Sequence, residues 1–230
     1  MHAPVVVLGG GPGGYAAAFM AADQGLEVTL VEMESRLGGT CLLRGCIPSK
    51  ALLHVANVMS EVEELTSDWG VSYSEPAIDI DKVRTRKDKV ISTLSGGLGQ
   101  LAKRRKVNVI TARGTFENST TLLLEGDDDS IPEGGRLTFD KCILATGSSP
   151  AMPGPWKLDS DRVMDSTGAL ALVDIPKSML VIGGGYIGLE MGTVYANLGT
   201  EVSVRQLCLR KYGPRSAARR CGDAVTRRPS

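Results

Sequence analysis

The feature that most constrains the fold of this chain is a glycine pattern that occurs twice. Its first copy, VVVLGGGPGGYAAAFMAADQGLEVTLVE, reads as a short apolar strand, a glycine turn, a helix of small residues and a second strand ending at Glu32. Gly9, Gly11 and Gly14 form G-x-G-x-x-G, which permits a tight turn, close approach of a pyrophosphate, and packing of helix on strand. Glu32 stands where a carboxylate can accept hydrogen bonds from an adenosine ribose. The pattern predicts dinucleotide binding; the alternative is a glycine-rich turn with a solvated Glu32.

The second copy is SMLVIGGGYIGLEMGTVYANLGTEVSV, in which Gly183, Gly185 and Gly188 have the same spacing. Its first glycine lies 174 residues after Gly9, a separation that suits two successive nucleotide-binding domains and is too long for a solenoid repeat. We therefore expect an α/β fold of the Rossmann-like type with a parallel sheet. Two such units in one chain favour a redox enzyme that uses two cofactors.

The segment between the two copies predicts two long helices followed by short strands. SKALLHVANVMSEVEEL and IDIDKVRTRKDKVISTLSGGLGQLAKRRK have helical periodicity, whereas VNVITARGTF, TTLLLEG and GRLTFDKCILATG read as strands of a β-meander crossover. The loop GDDDSIPEGG is expected to be an exposed acidic hairpin. We interpret the basic cluster at 103–106 as a solvated helix end, an anion site being the alternative. Cys142 is expected to be a buried thiol of the core.

Composition excludes several classes of function. The 230 residues are 42% hydrophobic, enough for a sizeable core, and no apolar run is long enough to span a membrane. The net charge is zero, but residues 205–230 hold seven Arg, one Lys and one Asp, so this tail carries +7 and the rest carries −7. An acidic body argues against nucleic-acid binding. The N-terminus does not resemble an export signal, which predicts a cytoplasmic protein.

The stretch GGTCLLRGCIPSK places Cys41 and Cys46 five positions apart. Two cysteines at this spacing can form a metal knuckle, a structural disulfide or a redox pair. A zinc site needs about four ligands, and neither His2 nor His54 is paired with another ligand, so no metal site is expected. Five cysteines, an odd number without framework spacing, argue against a disulfide scaffold. A redox pair requires a stabilised thiolate, which a helix N-terminus can supply.

The motifs GGTCLLRGCIPSKALLH, ILATGS and GGGYIGLEMG, in this order, resemble the pyridine-nucleotide disulfide oxidoreductases over about residues 4–204. Within that family the sequence is most similar to the dihydrolipoamide dehydrogenases. A relative of the mercuric or glutathione reductase type, and a non-enzymatic flavin-binding fragment, are the alternatives.

The resemblance implies which residues hold the cofactors, FAD in the first unit and NAD in the second. The expected FAD-binding residues are Gly9, Gly11, Gly14, Glu32, Gly39, Thr40, Lys50, Ala112, Gly114, Thr146 and Gly147. Gly183, Gly185 and Gly188 are expected to bind NAD.

The resemblance also implies the catalytic roles. Cys41 would be the exposed interchange thiol that meets dihydrolipoamide, Cys46 would lie against the flavin, and Lys50 would pair with Glu190. The expected partner is the lipoyl domain of 2-oxoacid dehydrogenase complexes, and the full-length family forms homodimers.

The resemblance divides the chain into an FAD domain with the redox disulfide at 1–150, the start of an NAD domain at 151–204 and a basic tail at 205–230. In relatives an acidic residue stands where this chain has Gln206. We interpret the tail as the product of a shifted reading frame, a nucleic-acid-binding arm being the alternative. The family's interface domain, which supplies an acid-base histidine, is not found in this sequence, so we expect the isolated chain to be inactive.

Overall fold

The computed structural model describes residues 1–74, 76–206 and 224–226. Its described residues form two compact units, which do not follow the chain order. The first comprises residues 1–48 and 88–149, and the second comprises the described residues of 49–87 and 150–226. Cys208 and Cys221, with most of the predicted tail, lie outside the described residues.

The first unit is built on a six-stranded sheet. Its strands are β1 (His2–Leu8), β2 (Val28–Glu32), β3 (Asn108–Thr111), β4 (Arg113–Asn118), β5 (Thr121–Glu125) and β6 (Arg136–Leu144). Their order in the sheet is β3-β2-β1-β6-β5-β4. Strands β3, β2, β1 and β6 are parallel, whereas β4, β5 and β6 form the antiparallel meander. The expected parallel sheet with a meander crossover is confirmed.

The helices are α1 (Pro12–Asp23), α2 (Gly39–Arg44), α3 (Cys46–Asp68), α4 (Ile80–Arg104), α5 (Ser166–Ala171) and α6 (Tyr186–Asn197). Helix α1 begins with a proline. Proline suits this position because the N–H of a first helical residue has no acceptor within the helix, so its absence costs no hydrogen bond. The two long helices predicted from periodicity are α3 and α4.

The core of the first unit covers both faces of the parallel strands. All five residues of β2 are buried, as expected for a strand covered on both sides. One cluster packs Val6, Leu122 and Leu137 on one face, and the other packs Val7, Ala18 and Leu30. Cys142 is only partly buried and packs against the first of these clusters.

The second unit repeats the opening arrangement of the first. Strand β7 (Ser178–Ile182) leads through the second glycine loop into α6 and then into β8 (Glu201–Arg205), which is parallel to β7. Strand β9 (Ala224–Thr226) pairs antiparallel with β8. Buried Tyr195 anchors the core of this unit and donates from its hydroxyl to the Ala169 carbonyl at 2.9 Å.

Candidate functional site

The first glycine loop lies at the carboxyl end of β1, and two of its glycines are required by the chain itself. Gly9 has a φ of 104°, and a Cβ there would lie 2.3 Å from the Ala145 carbonyl oxygen. A Cβ on Gly14 would lie 1.7 Å from the Gly9 carbonyl oxygen. Both contacts are far closer than a methyl group permits, so these residues fix the turn and the approach of α1 to β1.

Gly11 differs from its neighbours because the protein leaves room beside it. Its φ of −73° suits any residue, and the one heavy atom within 4 Å of an added Cβ is the Gly39 Cα at 3.7 Å. Gly39 has a φ of 56°, and its own Cβ would lie 2.6 Å from the Gly11 Cα. Neither backbone strain nor packing within the protein therefore requires glycine at position 11. A ligand that lies close to the backbone at this position would require it.

The beginning of α1 has the properties of an anion site. Among the described residues no side chain caps this helix at Gly11. The first N–H groups of a helix have no partner within the helix, and its dipole adds positive potential there. The loop therefore fits the pyrophosphate of a dinucleotide such as FAD.

Glu32 at the end of β2 is buried, with 8% of its surface exposed. Its Oε2 accepts the N–H of Gly10 at 2.5 Å, and its Oε1 accepts the N–H of Glu34 at 3.0 Å. The carboxylate thus organises the loops on both sides of it. Each oxygen retains a second lone pair, so Glu32 can still accept a ribose hydroxyl.

An open groove of about 510 Å³ runs beside the carboxyl ends of β2 and β3. Its walls include Glu34, Arg36 and Thr111, and α4 contributes Gly99 and Lys103. Lys103 is exposed in the last turn of α4, as expected for a solvated helix end, and it also lies at the wall of this groove. The signal that could have indicated it is the helical spacing of Ser92, Ser95, Gly99 and Lys103 on one side of α4.

Ala112 and Gly114, predicted to contact adenine, have structural reasons for their small size. Ala112 is buried and its N–H donates to the Glu32 carbonyl at 2.9 Å. A Cβ on Gly114 would lie 2.7 Å from Cδ1 of Leu8. Contact with a bound adenine remains a prediction for both.

The two cysteines of the predicted redox pair lie on either side of a helix junction. Cys41 is inside α2, and Cys46 is the first residue of α3. Gly45 joins the helices, and a Cβ on it would lie 2.8 Å from the Thr40 carbonyl oxygen. The glycine thus allows the start of α3 to fold back closely on α2.

The exposure of the two cysteines differs from what was expected. Cys41 is partly buried and Cys46 is exposed, whereas Cys41 was expected to be the exposed one. The physical reason is position in the helices: no earlier turn of α3 covers its first residue, whereas Cys41 is enclosed within α2. The described cysteines, Cys41, Cys46 and Cys142, are all thiols.

Thr40, Thr146 and Gly147 lie close to the first glycine loop. The Thr40 hydroxyl donates to the Ser148 carbonyl at 3.1 Å, which ties the start of α2 to the turn that follows β6. The Cα of Thr146 would lie 3.2 Å from a Cβ on Gly9. Gly147 has a φ of 70°, which favours glycine. The structure therefore brings three sequence-predicted residues together around one loop.

Lys50 and Glu190 form the predicted ion pair, with Lys50 Nζ 2.5 Å from Glu190 Oε1. Ser49, which no sequence motif indicated, is a third member of this group: its buried hydroxyl donates to Glu190 Oε2 at 2.5 Å. Burial acts to raise the pKa of Glu190, but the hydrogen bonds from Lys50 and Ser49 and the charge of Lys50 outweigh it and lower that pKa. Glu190 is therefore held as a carboxylate at neutral pH.

The second glycine loop has the same geometry as the first. Gly183 has a φ of 113°, and a Cβ on Gly188 would lie 2.0 Å from the Gly183 carbonyl oxygen. Gly185 has a φ of −73°, and a Cβ on it would meet nothing within 4 Å. This loop, too, leaves room for a ligand at its middle glycine.

The described part of the chain contains no cluster of three or more His, Cys, Asp or Glu side chains that could hold a metal ion. It also contains no helix that is long and apolar enough to cross a membrane.

Comparisons with known proteins show the family of this chain. The family model of the pyridine nucleotide-disulphide oxidoreductases matches residues 3–228. A dihydrolipoyl dehydrogenase of Vibrio parahaemolyticus is 48% identical over 207 residues, which are 90% of this chain and 42% of the relative. A dihydrolipoyl dehydrogenase of Haemophilus influenzae is 50% identical over 203 residues, again 42% of its length.

A solved structure shows the same fold. The HOCl-induced flavoprotein disulfide reductase RclA from Escherichia coli, solved as a Cu(II) complex, is 27% identical with a TM-score of 0.70. The match covers 89% of this chain and 42% of RclA. The chain thus spans about two fifths of the length of the relatives it matches.

Proposed function

Because the chain belongs to the pyridine nucleotide-disulphide oxidoreductase family, we propose that it carries the FAD-binding unit and the redox dithiol of a dihydrolipoyl dehydrogenase. That enzyme oxidises dihydrolipoamide with NAD⁺ to give lipoamide and NADH. Greater identity to the dihydrolipoyl dehydrogenases than to RclA supports this choice over another disulfide reductase.

The observation that carries the proposal is the contact between the nucleotide loop and the dithiol segment. Gly39 lies two residues before Cys41, and a Cβ on Gly11 would lie 3.7 Å from the Gly39 Cα. A dinucleotide seated on the loop at Gly11 therefore lies beside the helix that carries Cys41. Such proximity is what electron transfer between a dithiol and a flavin requires.

The chemistry at the cysteines is thiol–disulfide exchange. In the oxidised enzyme a thiolate of dihydrolipoamide attacks Cys41 Sγ of the Cys41–Cys46 disulfide, so that a mixed disulfide forms and Cys46 leaves as a thiolate. The second substrate thiolate then attacks the mixed disulfide, which releases lipoamide and leaves Cys41 as a thiolate. The substrate loses two electrons, and the protein disulfide gains them. FAD, when bound, would accept this electron pair from the dithiol and pass it to NAD⁺ as hydride.

Other residues hold or orient the cofactors in this proposal. The Gly9, Gly11 and Gly14 loop and Glu32 hold FAD, and the second glycine loop holds NAD. We assign the roles of Lys50 and Glu190 from the family resemblance: their ion pair keeps the ammonium in a fixed position toward the flavin.

The proposed partner is a lipoyl domain of a 2-oxoacid dehydrogenase complex, and the proposed location is the cytoplasm. Dimer formation is proposed for the full-length enzyme. All of these rest on dihydrolipoyl dehydrogenase relatives of which this chain spans 42%.

The test is a flavin titration followed by anaerobic reduction of the purified 230-residue chain. FAD fluorescence should be quenched on binding, and dihydrolipoamide should then produce the long-wavelength absorbance of a thiolate–flavin charge-transfer pair. A Cys41→Ser variant should show that absorbance without any reductant, because Cys46 can no longer form the disulfide. A Cys46→Ser variant should never show it.

Iodoacetamide labelling provides an independent measurement of the roles of the two cysteines. Without FAD, Cys46 should react faster, because it is the exposed thiol. With FAD bound, Cys46 should be protected and Cys41 should not. FAD binding that leaves both rates unchanged would contradict the proposed arrangement.

A further inference from the structure

We propose that the second nucleotide site accepts NADP(H) about as readily as NAD(H), because the neutral side chain of Gln206 stands where a carboxylate would repel a ribose 2′-phosphate. This inference rests on the proposed function, since it takes the loop from Gly183 to Gly188 to be a nicotinamide dinucleotide site.

Gln206 takes part in the structure of the second loop. It directly follows β8, and its Oε1 accepts the N–H of Gly184 at 2.5 Å. The preceding backbone is fixed as well, because the N–H of Gly183 donates to the Arg205 carbonyl at 2.8 Å. The side chain is therefore directed toward the loop rather than away from it.

The first unit contains the same arrangement with an acid in place of the amide. The N–H of Gly9 donates to the Val31 carbonyl at 2.8 Å, and the N–H of Gly10 donates to Glu32 Oε2 at 2.5 Å. Gln206 is thus the geometric counterpart of Glu32. The two units differ at this position in charge and hardly in shape.

The charge of the side chain at position 206 decides whether a ribose with a 2′-phosphate is tolerated. A carboxylate only accepts hydrogen bonds, so it favours the 2′-hydroxyl of NAD and repels a 2′-phosphate. An amide accepts through Oε1 and donates through Nε2, and it carries no charge, so that repulsion is absent at Gln206. Arg205 is the last residue of β8, and consecutive strand residues point to opposite faces of a sheet, so its side chain is not expected on the side of Gln206.

The experiment is a residue-resolved NMR titration of the full 230-residue chain with NAD⁺ and with NADP⁺. The amide signals of Gly183 to Gly185 report the second loop, and those of Gly9 to Gly11 report the first. We expect the two dissociation constants at the second loop to agree within about threefold. In a Gln206→Glu variant the dissociation constant of NADP⁺ should rise at least about tenfold relative to that of NAD⁺.

Gly185→Ala is the matched control. Its Cβ meets nothing in the protein, so the chain should fold while the signals of the second loop no longer respond to either nucleotide. A wild-type preference for NAD⁺ above tenfold, or an unchanged ratio in Gln206→Glu, would overturn the inference. If neither nucleotide shifts the second loop, both this inference and the proposed NAD site fail, whereas the FAD and dithiol proposal is judged separately by the charge-transfer measurement.

Discussion

The hydroxyl of Ser49 donates a hydrogen bond of 2.5 Å to Oε2 of Glu190. Lys50, the next residue of α3, occupies the other carboxylate oxygen at 2.5 Å. Two consecutive residues of one helix thus hold both oxygens of one carboxylate on α6. Ser49 is 4% exposed and Lys50 has a side chain that is 58% exposed, so Ser49 is the more shielded of the two partners.

Replacing Ser49 by alanine should raise the pKa of Glu190, because one of the hydrogen bonds that oppose burial is removed. The free energy of unfolding at pH 7 should fall by about 1.5–3 kcal/mol, the typical contribution of a hydrogen bond to a charged group. A lowered folded pKa contributes stability that is present above the unfolded value and lost as pH falls through the folded value. The deficit of the variant should therefore shrink below the ordinary pKa of 4.5. Urea unfolding across this pH range and carboxyl NMR of Glu190 provide the measurements.

Ser60→Ala is the control, because it removes a hydroxyl from the same helix that donates to Asn197 and not to Glu190. It should leave the pKa of Glu190 unchanged. An equal shift in both variants would show that Ser49 has no specific role at the carboxylate.

Alanine at the middle and last glycines of the first loop should have opposite consequences. Gly11→Ala should leave the unfolding transition nearly unchanged and weaken FAD binding at least about tenfold, because a Cβ fits the protein but occupies the approach of a pyrophosphate. Gly14→Ala should lose at least about 3 kcal/mol of stability or fail to fold, because its Cβ meets the Gly9 carbonyl at 1.7 Å. Thermal unfolding and FAD fluorescence titration measure the two effects.

A bulkier residue at position 11 gives a stricter test of whether this loop binds FAD. Gly11→Val should abolish measurable FAD binding. If this variant folds and binds FAD as the wild type does, the loop does not hold the pyrophosphate. Gly13→Ala is the matched control, since its Cβ has one neighbour, at 3.8 Å.

Cys142 should react with iodoacetamide more slowly than Cys46 at pH 7–8. Burial raises the pKa of the Cys142 thiol above its ordinary value of 9.0, so less of it is thiolate at these pH values. Cys46 is exposed at the first residue of α3, so its sulfur is open to the reagent, whereas Cys142 is only partly exposed. Mild oxidation should accordingly produce the Cys41–Cys46 disulfide before any bond that involves Cys142.

The labelling rate of each cysteine can be followed separately by peptide-resolved mass spectrometry. Cys208 and Cys221 are replaced by serine for this measurement. A Cys142 rate equal to that of Cys46 would contradict the effect of burial on the pKa and the accessibility of Cys142. Stoichiometric zinc bound by Cys41 and Cys46 would contradict the redox interpretation altogether.

The purified chain should show no lipoamide-dependent NADH formation above a Cys46→Ser control. Thiol oxidation near neutral pH needs a general base, for which histidine is suited, and this assistance is typically worth about 10²–10⁴ in rate. The chain has two histidines. His2 lies at the opposite end of β1 from the glycine loop and contacts Thr138 at 3.0 Å, and His54 lies eight residues beyond Cys46 in sequence. Wild-type turnover that disappears in the Cys46→Ser variant would contradict this prediction. A fusion of this chain to the part of a relative that it does not match should restore activity.

The sequence by itself determined the two glycine loops, because the reason for a glycine there is local. A tight turn at Gly9 or Gly183 and a helix start after Gly11 or Gly185 follow from spacing alone. The strand, helix, strand pattern around each loop follows from hydrophobic periodicity, and the dithiol segment was recognised from its own motif. These are short-range features, in which neighbours in sequence are also neighbours in space.

Only the tertiary structure decided the features that join distant residues. Ser49 and Glu190 are 141 positions apart, and no periodicity indicates that the serine shares the carboxylate with Lys50. Cys46 is more exposed than Cys41 because of where α2 ends and α3 begins. Lys103 reads in sequence as one member of a basic run, but the path of α4 places it at a groove with Arg36. In the sequence, Gln206 only departs from the acidic residue of relatives. The hydrogen bond from Gly184 is what shows that it occupies the position in the second unit that Glu32 has in the first. In each case the partner comes from another element, and packing of the whole unit is what brings the two together.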